Sequence, residues 1–222
     1  MKKILMSLVC ITTLFLSSCT TDTTGDVSKV TVFPEISAKG DPVMFLELGG
    51  TFADPGASAS VAGAPVEFQT SSNVDNSTPG FYTVNYSVEN SDGFEAVAFR
   101  TVIVYENNGT VAGVYWGRRT TRGIESPILV STRSDGNFNC TDILGGYYEQ
   151  STNNYGPNYG ADAVITVDIS AGTVTSTGST IGFGPVSMSG GTISADGRTM
   201  NWTGTLDNYA FGFPVELVKI TP

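Results

Sequence analysis

The chain contains no histidine. That absence removes Ser-His-Asp and Cys-His catalytic groupings and every metal site that depends on imidazole. It also lacks a glycine-rich phosphate loop ending in Lys-Ser or Lys-Thr, and a strand-to-helix glycine fingerprint for nucleotides. Basic residues are scarce, eleven Lys and Arg against twenty-one Asp and Glu. A phosphate backbone demands clustered cations, so the charge balance argues against a nucleic-acid partner. Cysteine is scarcer still. Two of the three cysteines, Cys10 and Cys19, lie at the extreme N-terminus, which leaves Cys140 alone and no disulfide to staple the fold. In Gly136-Asn137-Phe138-Asn139-Cys140 it reads as a small buried hydrophobe rather than a nucleophile. No cofactor is expected.

What is present begins with an export signal. Lys2 and Lys3 precede an apolar run, Ile4 to Leu16, interrupted only by Ser7, Thr12 and Thr13. The run is too short to span a bilayer as a stable helix. It ends in Leu16-Ser17-Ser18-Cys19, where small residues admit a peptidase and a thiol stands ready for acylation. An ordinary export signal beside a stray cysteine would share the apolar run but not this spacing. The segment resembles a bacterial lipoprotein signal, which implies cleavage after residue 18 and a diacylglyceryl group on Cys19. Several acyl chains on one residue anchor more firmly than one. Residues 19–29, polar and without periodicity, are expected to form a lipid-bearing flexible tether. Loss of residues 1–18 leaves 204 residues with nine basic and twenty-one acidic side chains, a net charge of −12. Membrane attachment is therefore expected through lipid, not through a basic surface. The expected location is the cell envelope, with Asp22 too slight an address to decide which leaflet.

The mature chain divides near Glu106-Asn107-Asn108-Gly109-Thr110. Before it, Tyr82, Val84, Tyr86 and Val88 alternate with polar residues, the period of a half-buried strand. Asn90-Ser91-Asp92-Gly93 supplies a hairpin turn, and Phe94 to Tyr105 suits a well-buried strand. Earlier strands are expected at Val30–Phe33, Val43–Leu48 and Val66–Gln69. After the division, Ala163–Ile169, Thr173–Thr177, Met200–Leu206 and Phe213–Ile220 carry strand patterns separated by turns such as Ala195-Asp196-Gly197-Arg198. Strand glycines, Gly113, Gly117, Gly182, Gly184 and Gly204 among them, are what curving sheets use at bends. The expected class is all-β: a small sandwich over residues 30–106, a linker at 107–111, and an antiparallel meander curling into a barrel over 112–222.

The stretches LELGGTFADPGASAS and VDNSTPGFYTVNYSVENSDGFEAVAFRTVIVY resemble the bacterial Ig-like module of pesticidal crystal toxin type. The resemblance covers residues 30–106 and implies a seven-stranded sandwich used as a spacer or adhesion module, without catalysis. The loop between Ala59 and Val66 is short and lacks the acid-rich insertion of that family, so no metal is carried over. GVYWGRR, DILGGYY and the late hairpin resemble the C-terminal domain of surface lipoproteins from Gram-negative gut anaerobes. Those proteins pair an Ig-like module with a lipocalin-like barrel, which implies an outer-membrane lipoprotein of uncharacterised function.

Two patterns carry the candidate site. GGYYEQSTNNYGPNYGA places Tyr147, Tyr148, Tyr155 and Tyr159 among Gly, Asn, Gln and Ser, where no regular element can bury them. Flat rings with amides and hydroxyls suit the faces and rim of a sugar; the alternative is a lid over an open barrel end. Tyr155 and Tyr159 are expected exposed, Tyr148 at the rim, one of Tyr147 and Tyr148 inward, and Trp116 or Trp202 buried. In GRRTTRG an extended backbone would put Arg118 and Arg122 on one face and Arg119 on the other. Arg118 and Arg122 could bind a carboxylated or sulfated ligand, or simply blunt an edge strand. Asp142 and Glu149 flank the tyrosine segment as the least implausible carboxylate pair for glycoside hydrolysis. Asp135-Gly136-Asn137 lacks the spaced acids of a calcium loop and reads as a turn. The leading expectation is a non-catalytic surface protein whose barrel binds glycan or another extracellular ligand. The alternatives are an adhesive protein with a protein partner and, less favoured, a hydrolase.

Overall fold

The computed structural model describes residues 30–109, 111–150 and 154–221. The expected signal peptide, Cys19 and the tether lie outside these residues, as does Thr110 of the expected linker. Seven strands come first: β1 (Pro34–Ala38), β2 (Val43–Glu47), β3 (Ala57–Val61), β4 (Ala64–Pro65), β5 (Gln69–Ser72), β6 (Gly80–Glu89) and β7 (Glu95–Tyr105). They form two sheets, β1-β3-β4 and β2-β7-β6-β5, with β2 parallel to β7. Ala57, Val84, Tyr86 and Val102 make the buried centre between them, with Ile36, Leu46, Phe52 and Phe68 packed around it. This is the expected Ig-like sandwich.

At an inward position of β7 stands Arg100, fully buried. A charge removed from water needs its donors answered. Nη1 donates to the Asp41 carbonyl at 2.5 Å, Nη2 to the Lys39 carbonyl, and Nε to the Tyr86 hydroxyl at 3.3 Å. The Asp54 carboxylate lies 3.6 Å from Nε. Its Oδ1 also accepts from the Tyr86 hydroxyl at 2.5 Å and from the Gly56 N–H at 3.0 Å. The Asp-Pro-Gly-Ala motif and the second tyrosine of Tyr-x-Val-x-Tyr thus meet on one guanidinium.

Two early strands differ from expectation. Residues 30–33 form no strand, because β3 ends at Val61, opposite Pro34, and turns through Ala62 and Gly63. Among the described residues no strand pairs them; the Val32 carbonyl instead accepts from Asn90 Nδ2 at 2.7 Å, and Phe33 packs edge-on against Phe94 at 4.9 Å. The strand expected at Val66–Gln69 begins only at Gln69, where β5 finds β6.

The second half contains β8 (Gly113–Arg119), β9 (Ile124–Thr132), β10 (Phe138–Cys140), β11 (Ala163–Asp168), β12 (Thr173–Ser176), β13 (Ser179–Ile181), β14 (Gly184–Ile193), β15 (Thr199–Leu206) and β16 (Phe211–Lys219). Neighbours pair antiparallel in the order β12-β11-β10-β9-β8-β16-β15-β14. Thr173 opposite Thr192 and Val174 opposite Gly191 join β12 to β14 and close an eight-stranded barrel. β13 remains outside the ring as an arm on β14.

Inward residues fill the barrel: Tyr115, Ile128, Val130, Ile165, Val174, Met200, Trp202, Val215 and Leu217 belong to one core. The segment 141–162 between β10 and β11 enters the same core with Ile143, Leu144, Tyr147, Tyr148 and Ala161. Trp202 Nε1 donates to the Ile143 carbonyl at 2.7 Å. Two of the strand glycines make room for this insertion: a Cβ on Gly117 would come 3.1 Å from Gly145 Cα, and one on Gly204 would come 2.8 Å from Leu144 Cδ2. Ile103 and Tyr105 of β7 pack on Val114 and Leu129 of the barrel. Glu106 accepts from the Thr132 N–H at 2.6 Å and from its hydroxyl.

Arg100→Met leaves the Asp54 carboxylate without its counter-cation and the Lys39 and Asp41 carbonyls without their guanidinium donor. The sandwich is expected to lose about 3–5 kcal/mol, and Tyr86→Phe about 1 kcal/mol. Hydrogen exchange across residues 30–106 in rising urea measures both; unchanged protection in Arg100→Met would show the network adds nothing.

Candidate functional site

The barrel end formed by the close of β8, the start of β16 and the turn between β13 and β14 is crowded with rings. Tyr155 lies 5.1 Å from Tyr159, 5.6 Å from Phe183 and 6.5 Å from Tyr148, the last pair stacked at 25°. Phe183 is 4.7 Å from Tyr159 and 6.4 Å from Tyr209. Tyr148 meets Phe213 at 6.1 Å, and Phe213 meets Phe211 at 5.9 Å. The rings form one continuous surface whose exposed members are Tyr155, Tyr209 and Phe211, at 51%, 62% and 42%. Phe183, Tyr209, Phe211 and Phe213 escape the sequence reading because they lie far from the tyrosine segment in the chain. Only strand closure assembles them.

The tyrosines divide differently from expectation. Both Tyr147 and Tyr148 are buried, so Tyr148 is floor rather than rim. Tyr159 is half-buried, because the 3-10 turn Pro157–Tyr159 lays its ring beside Gly182, where a Cβ would come within 2.6 Å. Tyr155 is exposed as expected. Trp202 is buried and Trp116 half-buried.

The arginines also redistribute. β8 ends at Arg119, and Arg122 lies exposed in the following turn, so the two outer arginines do not share a strand face. Arg118 points outward and is occupied: Nη2 lies 2.5 Å from Glu216 Oε1 and Nη1 3.5 Å from Glu125 Oε1. Arg119 continues the lumen-facing row of Tyr115 and Gly117. Its Cζ lies 5.0 Å from the centre of the Tyr147 ring, 5.1 Å from Phe211 and 4.5 Å from Phe213.

Beneath the rings, Asp142 is fully buried. Its Oδ1 accepts from the Leu144 N–H at 2.6 Å, while Oδ2 has no hydrogen-bond partner. Burial, with the charge of Glu149 adding to it, pushes its carboxyl up to about 7. Walled off from solvent, Asp142 cannot meet a substrate beside Glu149. Glu149 instead borders a cleft of about 650 Å³ between the two halves, with Phe81, Thr141, Gln150 and Asp162. Cys140 is buried and its thiol pushed up to about 12, in keeping with an inert core residue. Asp135 closes a turn by accepting from the Asn137 N–H.

A family model of the BT2262-like C-terminal domain matches residues 71–219, two thirds of the chain. The chain belongs to the BT2262-like family. The model for the Ig-like domain of bacterial surface proteins matches residues 36–104, overlapping the first over β6 and β7. Among solved structures, the lipoprotein BT2262 from Bacteroides thetaiotaomicron is similar at 26% identity and a TM-score of 0.68. It covers 84% of this chain and 100% of its own. Two structures from Clostridium perfringens ZmpB are far less similar. The M60 catalytic domain with CBM51-1 and CBM51-2 gives 13% identity and a TM-score of 0.31 over 86% of this chain and 21% of its own. CBM51-2 in complex with GlcNAc and the INT domains gives 16% and 0.28 over 83% and 43%. Neither bears on function. No curated protein matches the chain.

In this BT2262-like barrel the buried carboxyl has a measurable consequence. Between the ordinary aspartate value of 3.8 and about 7, the unfolded chain ionises Asp142 while the folded chain keeps its proton. Stability therefore falls as pH rises through that window, by up to about 1.4 kcal/mol per pH unit, and levels off above it. Asp142→Asn is expected to flatten this part of the profile. Urea midpoints across the window test it, and an equal slope in both proteins would overturn the assignment.

Proposed function

We propose that the chain is a non-catalytic lipoprotein of the cell envelope, attached through Cys19, whose barrel mouth binds a glycan. The observation that carries this reading is the continuous ring surface with Tyr155, Tyr209 and Phe211 open to solvent above a buried floor of Tyr148 and Phe213. Rings with exposed faces cover the apolar side of a sugar, and the loop's amides and hydroxyls supply its rim. The filled barrel supports a surface site over an internal one. The likeness to a protein described as a lipoprotein supports the anchor. In this reading the sandwich, residues 30–106, spaces the barrel, residues 112–222, from the membrane. The family resemblance supports outer-membrane placement.

One observation favours a second reading, an adhesive protein with a protein partner. β5 is an edge strand with four exposed residues, and Val97 and Phe99 stand 68% and 67% exposed on the same sheet. An open edge beside apolar side chains is a template for strand addition.

A glycan array probed with the full chain in detergent separates the two. Binding should be lost in Tyr155→Ala with stability changed by less than about 0.5 kcal/mol, since the ring is exposed. Tyr159→Ala should cost stability as well, because its ring packs on Phe183. Glycan binding that survives Tyr155→Ala, or no glycan bound at all, would defeat the reading. Protease shaving of intact cells tests the location: survival beside cleaved surface lipoproteins would rule out outward display.

A further inference from the structure

The glycan reading leaves the sugar's charge open, and one side chain addresses it. Arg119 is the last residue of β8, opposite Val215 on β16 and Ile124 on β9. Strand alternation turns it toward the barrel mouth, where Tyr147, Phe211 and Phe213 surround its guanidinium at 4.5–5.1 Å. Its Nε donates to Thr121 Oγ1 at 3.1 Å. Among the described residues no carboxylate pairs with it, and neither Nη nitrogen has a hydrogen-bond partner. Other arginines differ: Arg118 is held by Glu216 and Glu125, Arg133 by Asp135 and Arg100 by Asp54, while Arg122 lies exposed in the turn after β8. Arg198 donates to the carbonyls of Lys219 and Thr221.

In a chain with twenty-one acids, a half-buried guanidinium without an acid needs a reason. The rings supply part of one, since their faces attract a cation. They do nothing for the Nη donors, which lie at the edge of the plane. That edge matches two oxygens of a carboxylate or sulfate. The rings also hold the fork in place, so little side-chain freedom is lost when an anion docks. Phe211 and Phe213 touch this guanidinium and belong to the same surface as Tyr148 and Tyr155. One ligand can therefore lie on the rings and place an acidic group against Arg119.

We infer that the barrel mouth selects acidic glycans, with the Nη edge of Arg119 binding their anionic group. This rests on the glycan reading above and adds to it a charge requirement and a residue. The shared chemistry is a pair of anionic oxygens, and its source is either a carboxylate or a sulfate.

The test uses the full chain in detergent against carboxylated oligosaccharides, each paired with its own methyl ester, together with sulfated and neutral oligosaccharides. Esterification removes the charge and keeps the sugar. The acid is expected to bind at least about tenfold more tightly than its ester, or a sulfated oligosaccharide at least about tenfold more tightly than its neutral parent. Added salt should weaken the charged complex alone. Arg119→Gln should abolish the preference while leaving weak neutral binding intact. Arg119→Lys keeps a cation over the rings but loses the fork, so it should retain only part of the preference, and it carries the comparison if Arg119→Gln does not fold. Equal binding within both the acid–ester and the sulfated–neutral pairs, or a preference that survives Arg119→Gln, overturns this inference while the glycan reading stands. No binding to any member of the panel overturns both.

Discussion

An eight-stranded barrel encloses a lumen that must be filled, and here the chain fills part of it with its own loop. The contact on which that depends is the hydrogen bond from the Trp202 indole to the Ile143 carbonyl, made inside the core. Without it a large polar ring and a loop carbonyl would both be buried unanswered. With it, residues 142–148 are fixed across the lumen, and Gly145 and Gly146, both at positive φ, bend the backbone to fit. A Cβ on Gly146 would meet the Ser126 side chain at 2.4 Å, so the insertion tolerates only glycine there. The insertion removes the internal cavity that barrels of this kind use for apolar ligands.

The sandwich solves a different problem with a different device. One of its sheets, β1-β3-β4, is short and rich in Ala and Ser, so the apolar burial it contributes is modest. Arg100 compensates by tying three segments to one side chain: the turn at Lys39–Asp41, the Asp54–Gly56 corner and Tyr86 on β6. The two halves then meet through β7, whose last residues Ile103 and Tyr105 pack on the barrel. The same strand carries Arg100 in one half of its length and the junction in the other.

The Ig-like motifs were legible because each signature residue answers a local need. Asp54 and Gly56 shape one corner, Tyr86 returns to it, and Asp92-Gly93 turns a hairpin. Closure of the barrel was legible as a class, from alternation and turns. Residues 30–33 misled because β-propensity says nothing about whether a partner strand extends far enough. The tyrosines were found, but their exposure depended on segments from the other end of the chain. Phe183 covers Tyr159, and Phe213 covers Tyr147 and Tyr148. Arg119 was passed over although a signal existed. Tyr115, Gly117 and Arg119 share the lumen-facing parity of β8, whereas Arg118 falls on the face where Glu216 and Glu125 wait. Extending the segment to Arg122 hid this, because the strand stops first.

The mouth is exposed and yet built on rigid ground. Tyr148 and Phe213 are buried, and they are fixed by the same insertion that fills the lumen. Tyr155 stacks above Tyr148, so an exposed ring inherits its position from a buried one. Rings have few torsions to lose, and a ring already supported from below loses fewer still. An apolar surface of this kind on a protein with net charge −10 would attract little that is anionic from a distance. Selection of such a ligand must then come from contact at short range. In the acidic-glycan reading proposed above, that contact is Arg119, framed by rings and without a paired acid among the described residues.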